Sequence, residues 1–164
     1  MNETVYVNTG EVKLGGENII LNSGAIGSCV VVTMYNVLKK NGAMAHIMLP
    51  GIAPEGKEWN NTKYASNSIR EMLGLMKNNN DKTNKIEACI IGGANVLKRT
   101  CDTIGENNIT SVEKLIEELG IKIHAKAVGG FERRTAVFHV ETGCIYFTVG
   151  DSKQKLLWKT GSLQ

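Results

Sequence analysis

The sequence has few aromatic residues, no run of basic residues and no long apolar segment. Phe, Trp and Tyr together make up 5% of the 164 residues. No basic cluster is interleaved with them, so the features of a nucleic-acid-binding surface are missing. No apolar stretch approaches the roughly 20 residues that cross a membrane, and the N-terminal residues lack the basic start and apolar core of a signal peptide. We therefore predict a cytoplasmic protein that binds no nucleic acid and does not insert into a membrane.

The sequence also lacks a Cys-X-X-Cys pair, although it contains four cysteines. That spacing is typical of zinc sites and of thioredoxin-type redox motifs, so neither is expected. Thiols of cytoplasmic proteins stay reduced, so no disulfide is expected either. The sequence predicts no metal and no cofactor.

The chain shows no internal repeat, no low-complexity tract and no linker, and residues 1–164 are predicted to form a single domain. Apolar and β-branched segments predict strands, and these do not alternate regularly with helices. This pattern predicts an α+β fold. The strands are expected at residues 5–7, 18–21, 30–35, 43–49, 86–91, 121–128, 135–140 and 144–149.

Two helices are predicted from apolar periodicity and capping signals. The first covers residues 62–77, where one apolar face has three- and four-residue spacing. The second begins at Thr110, which fits a capping box with Glu113, and it ends at Gly120. The apolar face of the first helix consists of Ile69, Met72, Leu73 and Met76.

A small, flexible segment leads to a cysteine, and a histidine follows at a distance of seventeen residues. Residues 23–29 read SGAIGSC, and the histidine is His46. Glycine allows the main chain to approach a ligand closely. The two strands after Cys29 predict a hairpin: a loop centred near Val37 places Cys29 opposite His46, whereas a tight turn at residues 41–42 separates them. The sequence leaves both registers open.

A cysteine beside a histidine is suited to nucleophilic attack on a carbonyl carbon. A neighbouring imidazolium can lower the thiol pKa from about 8.5 to roughly 3.5–7.5, and the same group can then protonate departing ammonia. Backbone N–H groups around Ser28 and Cys29 are candidates to hold the oxyanion. Ser23 is one candidate to orient the imidazole of His46.

Two other interpretations account for the same residues. Cysteine is among the most buried residue types, and a lone histidine in a strand is often only packed and hydrogen-bonded. A metal site made by Cys29, His46 and another cysteine would need ligand spacings that the sequence does not have.

In these segments the sequence resembles the chemoreceptor glutamine deamidases, the CheD family. Members carry a T-L-G-L-G-S-C-V-like segment and then a histidine in A-H-x-M-L-P; here these read SGAIGSCV (23–30) and AHIMLP (45–50). EACIIGGA (87–94) resembles the family's A-K-x-F-G-G-A strand, and IGENNI (104–109) resembles its I-G-x-R-N segment. Further short motifs, VGG, RR and ETG, follow in the same order, so the resemblance extends over most of the chain.

The resemblance implies a fold of mixed β-sheets packed with outer helices, similar to toxin deamidases that use a Cys–His pair. It implies a protein-glutamine deamidase that acts on the cytoplasmic domains of chemotaxis receptors through a cysteine thioester. The expected partners are those receptors and a CheC-type phosphatase.

The resemblance also implies a role for each site residue. Cys29 is the expected nucleophile, His46 the base and then the acid, and Ser23 the group that orients the imidazole. The residues expected to bind the oxyanion or substrate are Gly27, Ser28, Gly92 and Gly93.

Several positions depart from the family pattern. Ser23 stands where the family usually has Thr and lacks the methyl group that fixes the rotamer. Ser66 and Ala127 stand where the family often has Asp, and Arg133 stands on a usual glycine. Ser23 and the two missing acidic positions motivate an alternative function, that of a non-catalytic or weakly catalytic docking partner that regulates a CheC-type phosphatase.

Overall fold

The computed structural model describes residues 1–76 and 85–162. Within them the chain forms ten strands, two α-helices and one 3-10 helix, Glu58–Lys63. The helices are α1 (Ala65–Leu75) and α2 (Ile104–Glu118). The strands are β1 (Glu3–Tyr6), β2 (Val12–Gly15), β3 (Ile19–Ile26), β4 (Val30–Asn36), β5 (Asn41–Ile47), β6 (Ile86–Gly92), β7 (Lys122–Val128), β8 (Arg134–His139), β9 (Cys144–Val149) and β10 (Lys155–Lys159).

The strands form two five-stranded sheets. The first sheet has the order β1-β3-β8-β9-β10, and the second has the order β2-β5-β4-β6-β7. Both are mixed, because β1 runs parallel to β3 and β6 runs parallel to β7, whereas the other pairs are antiparallel. Two mixed sheets with two helices confirm the predicted α+β fold.

The second sheet lies between the helices and the first sheet. The alternation of side chains along β4 shows this directly, because successive residues of a strand point to opposite faces. Val30 and Val32 pack with the helices, whereas Val31 and Tyr35 pack with residues of the first sheet such as Phe138. Neither α-helix of the described chain is both long enough and apolar enough to cross a membrane.

All eight predicted strands are present, but β2 and β10 were not predicted and β3 is longer than expected. β3 continues through Ile26, so most of the SGAIGSC segment is strand rather than a flexible approach. A bulge between Asn22 and Ala25 changes the pairing of β3 with β8. This irregularity hides the alternation by which a strand is recognised in a sequence.

Both helix starts differ from the prediction. α1 begins at Ala65 because residues 62 and 63 belong to the preceding 3-10 helix, and its predicted last residue, Lys77, lies outside the described residues. α2 begins at Ile104, so the predicted start at Thr110 is wrong. A side-chain oxygen of Asp102 accepts a hydrogen bond from the Ile104 N–H at 3.0 Å and stabilises this earlier start of the helix.

Two helical glycines provide a test of how closely α2 packs on β6. A Cβ atom on Gly105 would lie 2.4 Å from the carbonyl oxygen of Gly93, whereas a Cβ on Gly74 in α1 would meet nothing within 4 Å. Gly105→Ala should therefore lower the free energy of unfolding by about 1–3 kcal/mol. Gly74→Ala should raise it by about 0.4–1 kcal/mol. Urea unfolding measures both, and equal effects of the two variants would contradict the packing.

Candidate functional site

Two connections that cross from one sheet to the other border the candidate site. The chain leaves the first sheet for the second after β1 and again after β3. The second connection, residues 27–29, is called the 27–29 loop, and Cys29 is its last residue. The first connection borders His46 of β5, because Gly10 N–H donates to His46 O at 2.8 Å and His46 N–H donates to Glu11 O at 3.0 Å.

The β4–β5 hairpin has a register that differs from both alternatives considered for the sequence. Asn36 pairs with Asn41, so four residues form the turn. The Asn36 side-chain oxygen accepts the N–H groups of Leu38 and Lys39, each at 3.0 Å, and closes this turn. Such side-chain bonds compete with continued strand pairing, and they exclude the tight turn at residues 41–42.

This register brings Cys29 and His46 to one face without placing them directly opposite. His46 pairs with Val31, and Cys29 precedes Val31 by two residues, so all three face the first sheet. Diagonal neighbours of this kind are typically about 7–8 Å apart. No hydrogen bond joins Cys29 to His46 in the described chain.

The imidazole of His46 is held by a main-chain carbonyl. Its Nδ1 lies 3.0 Å from the oxygen of Val7, and the side chain is 4% exposed. A carbonyl oxygen can only accept, so Nδ1 carries the proton and Nε2 of the neutral ring keeps its lone pair. Nε2 of His46 is therefore able to accept a proton.

Burial favours the neutral form of both groups. It raises the pKa of the half-buried Cys29 thiol. It also lowers the pKa of His46, and the Val7 hydrogen bond and the charge of Glu11 offset this only partly. Neither shift has the charge of the other group among its causes, so the lowering of the thiol pKa by an imidazolium stays a prediction.

The 27–29 loop is held by its carbonyl groups and has unused N–H groups. Gly27 O accepts from Ala94 N–H at 2.9 Å, and Cys29 O accepts from Gly93 N–H at 2.8 Å. Ser28 O accepts from a side-chain amide on α2 at 3.0 Å. Within residues 1–76 and 85–162, no hydrogen bond uses the N–H of any residue in this loop. Fixed, unpaired N–H groups beside a thiol are the donors that an oxyanion needs.

The residue that holds Ser28 O is Asn108, which sequence reasoning missed as a site residue. It is 0% exposed and lies in the second turn of α2. The only sequence signal was its place in the IGENNI segment. Val7 was also missed, and since it contributes a backbone oxygen, no side-chain pattern could have revealed it.

Ser23 lies in the bulge of β3, and its hydroxyl bonds to main-chain atoms. It donates to Gly24 O at 2.7 Å and accepts from Ala136 N–H at 2.9 Å. In the described part of the chain no hydrogen bond joins Ser23 to His46. Its role in orienting the imidazole stays a prediction.

Gly92 and Gly93 are placed under the 27–29 loop by their backbone conformations. Gly92 has a φ of 113° and Gly93 a φ of 71°, a region that side-chain-bearing residues rarely adopt. A Cβ on Gly92 would lie 2.4 Å from Cys29 O. Gly93 also lines a cleft of about 390 Å³ together with Gly130 and Phe131. Because the Gly93 N–H is bound to Cys29 O, it is not free to bind an oxyanion.

A metal ion in a protein needs several coordinating side chains close together. Among the described residues, no group of three or more His, Cys, Asp or Glu side chains could hold one. All four cysteines are free thiols.

Comparison with known families identifies the chain. A family model described as "CheD chemotactic sensory transduction" matches residues 48–148. The chain belongs to the CheD family. The matched segment begins after His46, so this CheD assignment rests on residues other than the candidate catalytic pair.

Curated CheD relatives match the chain over most of its length. "Probable chemoreceptor glutamine deamidase CheD" of Chlorobium luteolum is 35% identical over 150 residues, which are 92% of this chain and 75% of that protein. "Chemoreceptor glutamine deamidase CheD" of Thermotoga maritima is 34% identical over 80% of this chain and 86% of its own. The protein of the same name in Halalkalibacterium halodurans is 34% identical over 87% and 91%. A match over 92% of the chain necessarily includes residues 29–46.

Alkylation of Cys29 tests whether the resting thiol is neutral. Because burial raises its pKa above the ordinary value of about 8.5, the rate constant for iodoacetamide should be small at about pH 6 and rise above about pH 8.5. Mass spectrometry of the Cys29 peptide measures the rate, with the exposed Cys101 as an internal reference. A rate that is already maximal at pH 6 would instead indicate a thiolate–imidazolium pair.

Nitrogen NMR of the His46 ring tests which group orients it. At neutral pH the spectrum should show a protonated Nδ1 and an unprotonated Nε2, because Val7 O accepts a hydrogen bond from Nδ1. Ser23→Ala should leave this tautomer unchanged, since the Ser23 hydroxyl bonds elsewhere. A change of tautomer in Ser23→Ala, but not in Ser23→Thr, would show that Ser23 orients the ring.

Proposed function

We propose that this CheD protein is a protein-glutamine deamidase that hydrolyses glutamine side chains in the cytoplasmic domains of chemotaxis receptors. The observation that carries this proposal is the 27–29 loop, where unpaired N–H groups lie beside a half-buried thiol. The names of the relatives supply the substrate class. We place the reaction in the cytoplasm, where those receptor domains lie.

The reaction begins with attack of the Cys29 sulfur on the amide carbon. Because burial favours the neutral form of both groups, His46 Nε2 accepts the thiol proton as the S–C bond forms. The oxygen of the amide becomes an oxyanion, and the N–H groups of Ser28 and Cys29 donate to it. No hydrogen bond joins the sulfur to the imidazole in the described chain, so proton transfer requires the two groups to come closer as the substrate binds.

Breakdown of the tetrahedral intermediate formed by this attack releases ammonia. The His46 imidazolium gives its proton to the leaving nitrogen, the C–N bond breaks and a thioester remains on Cys29. His46 then takes a proton from a water molecule that attacks the thioester carbon. The S–C bond breaks, the thiol regains its proton and glutamate leaves.

Exposed apolar side chains near this loop support protein partners of the same enzyme. Val96 lies close to Gly27, since a Cβ on Gly27 would be 3.2 Å from its Cγ2. Val96 is 42% exposed, and Phe131 at the neighbouring cleft is 58% exposed. We propose that these side chains contact the receptor and that a CheC-type phosphatase can occupy the same surface. Such docking does not need the thiol, so it should survive Cys29→Ala.

Deamidation of receptor fragments tests the proposed function. The protein is incubated with cytoplasmic receptor fragments from the same genome, and mass spectrometry maps amide-to-acid conversion. Cys29→Ala should reduce the rate by at least about 10³-fold, as expected when a nucleophile is removed.

The matched control is Cys101→Ala, which removes an exposed thiol outside the site and should convert glutamine at the wild-type rate. If Cys29→Ala converted glutamine as fast as the wild type, the thioester mechanism would be wrong. If the wild type left every receptor glutamine intact while binding a CheC-type phosphatase, the docking function alone would remain.

A further inference from the structure

Asn108 is a fully buried polar side chain that joins three separate parts of the fold. Its Nδ2 group donates to Ser28 O and to Met48 O, each at 3.0 Å. These acceptors are 80 and 60 residues away in the sequence. One follows β3 and the other follows β5, so a single amide on α2 holds the chain beside Cys29 and the chain that follows His46.

Close packing of α2 brings this amide within reach. Gly105 precedes Asn108 by one helical turn, and a Cβ there would collide with Gly93 O at 2.4 Å. The buried face of α2 continues with Val112 and Ile116, so Asn108 occupies an otherwise apolar stripe. A buried amide is unfavourable unless it is hydrogen-bonded, and the Oδ1 atom of Asn108 has no partner among the described residues. The two bonds of Nδ2 are therefore the interactions that hold this side chain.

The geometry of the peptide unit connects Asn108 to the reaction. The Ser28 carbonyl and the Cys29 N–H belong to one planar trans peptide, so the two groups point in opposite directions. Holding Ser28 O toward α2 turns the Cys29 N–H to the opposite side of the 27–29 loop. In the described chain, Asn108 is the group that donates to Ser28 O.

We propose that Asn108 is a positioning residue for deamidation. It fixes the Ser28–Cys29 peptide plane and so aims the Cys29 N–H at the oxyanion. This inference rests on the proposed function. Asn108 makes no contact with the substrate, and its effect is confined to the step in which negative charge develops on the amide oxygen.

The test compares two reactions of the same thiol in Asn108→Asp and Asn108→Ser. Asn108→Asp keeps the size but loses the N–H donors, and Asn108→Ser is too short to reach both carbonyls. The kcat for receptor deamidation should fall by about 10–100-fold, because a misaimed donor loses much of the 10²–10³-fold that one oxyanion donor contributes. KM should stay within about twofold, since ground-state binding is unchanged. Alkylation of Cys29 by iodoacetamide forms no oxyanion, so its rate constant should stay within about twofold of the wild-type value. That margin is small compared with the 10²–10³-fold that one oxyanion donor contributes to a rate.

Asn107→Asp is the matched control. Asn107 lies one position earlier on α2, is exposed, and its Nδ2 donates to Thr103 Oγ1 at 3.2 Å. This variant should keep the wild-type kcat. Asn108 variants with wild-type kcat would overturn the proposal. Parallel losses in kcat and in alkylation would also overturn it, because they would indicate a general disturbance of the fold.

Hydrogen exchange separates this proposal from the proposed function. The N–H groups of Gly93 and Ala94 donate to carbonyls of the 27–29 loop. Their exchange rates should therefore rise in the Asn108 variants and stay at the wild-type value in Asn107→Asp. Wild-type protein without deamidase activity would refute the function, and exchange would then decide whether Asn108 holds the loop. Unchanged exchange at both amides would overturn that role, even if one variant folded too poorly for kinetics.

Discussion

The proposed chemistry depends on how the peptide planes of the 27–29 loop are held. A trans peptide points its C=O and N–H groups in opposite directions. All three carbonyls of the loop accept hydrogen bonds, two from the N–H groups of Gly93 and Ala94 just after β6 and one from the Asn108 side chain on α2. The N–H groups of the following residues are therefore turned away from these anchors. In the proposed reaction, the donors for the oxyanion are thus fixed before any substrate arrives, which avoids reorganisation during the reaction.

Burial around the loop has two effects that act together. It disfavours charge on the resting residues, so the pKa of Cys29 rises and that of His46 falls. The same low-dielectric surroundings strengthen hydrogen bonds to a charge that develops during attack. One environment therefore disfavours charge on the resting thiol and imidazole and strengthens donors to an oxyanion. In the proposed mechanism, both effects favour proton transfer in step with S–C bond formation.

The family, the α+β class and the candidate site residues could be inferred from the sequence because they are encoded locally. The strand segments, the glycine-containing approach and the cysteine–histidine spacing are patterns of neighbouring residues, and they led to the correct family and the α+β class. The start of α2 was missed because Thr110 offered a plausible capping box, whereas Asp102 stabilises an earlier start. Two local signals for the helix start therefore compete, and the longer helix also allows Gly105 to pack against Gly93.

The amino-acid sequence by itself determined which residues are the candidate reactive groups, namely Cys29 and His46, and that they lie near one end of paired strands. Only the tertiary structure decided how they are presented. Val7 O orients the imidazole through a main-chain atom, and Asn108 holds Ser28 O across 80 residues. Such contacts leave no periodic pattern, because they depend on how two sheets and a helix stack and not on the order of neighbouring side chains.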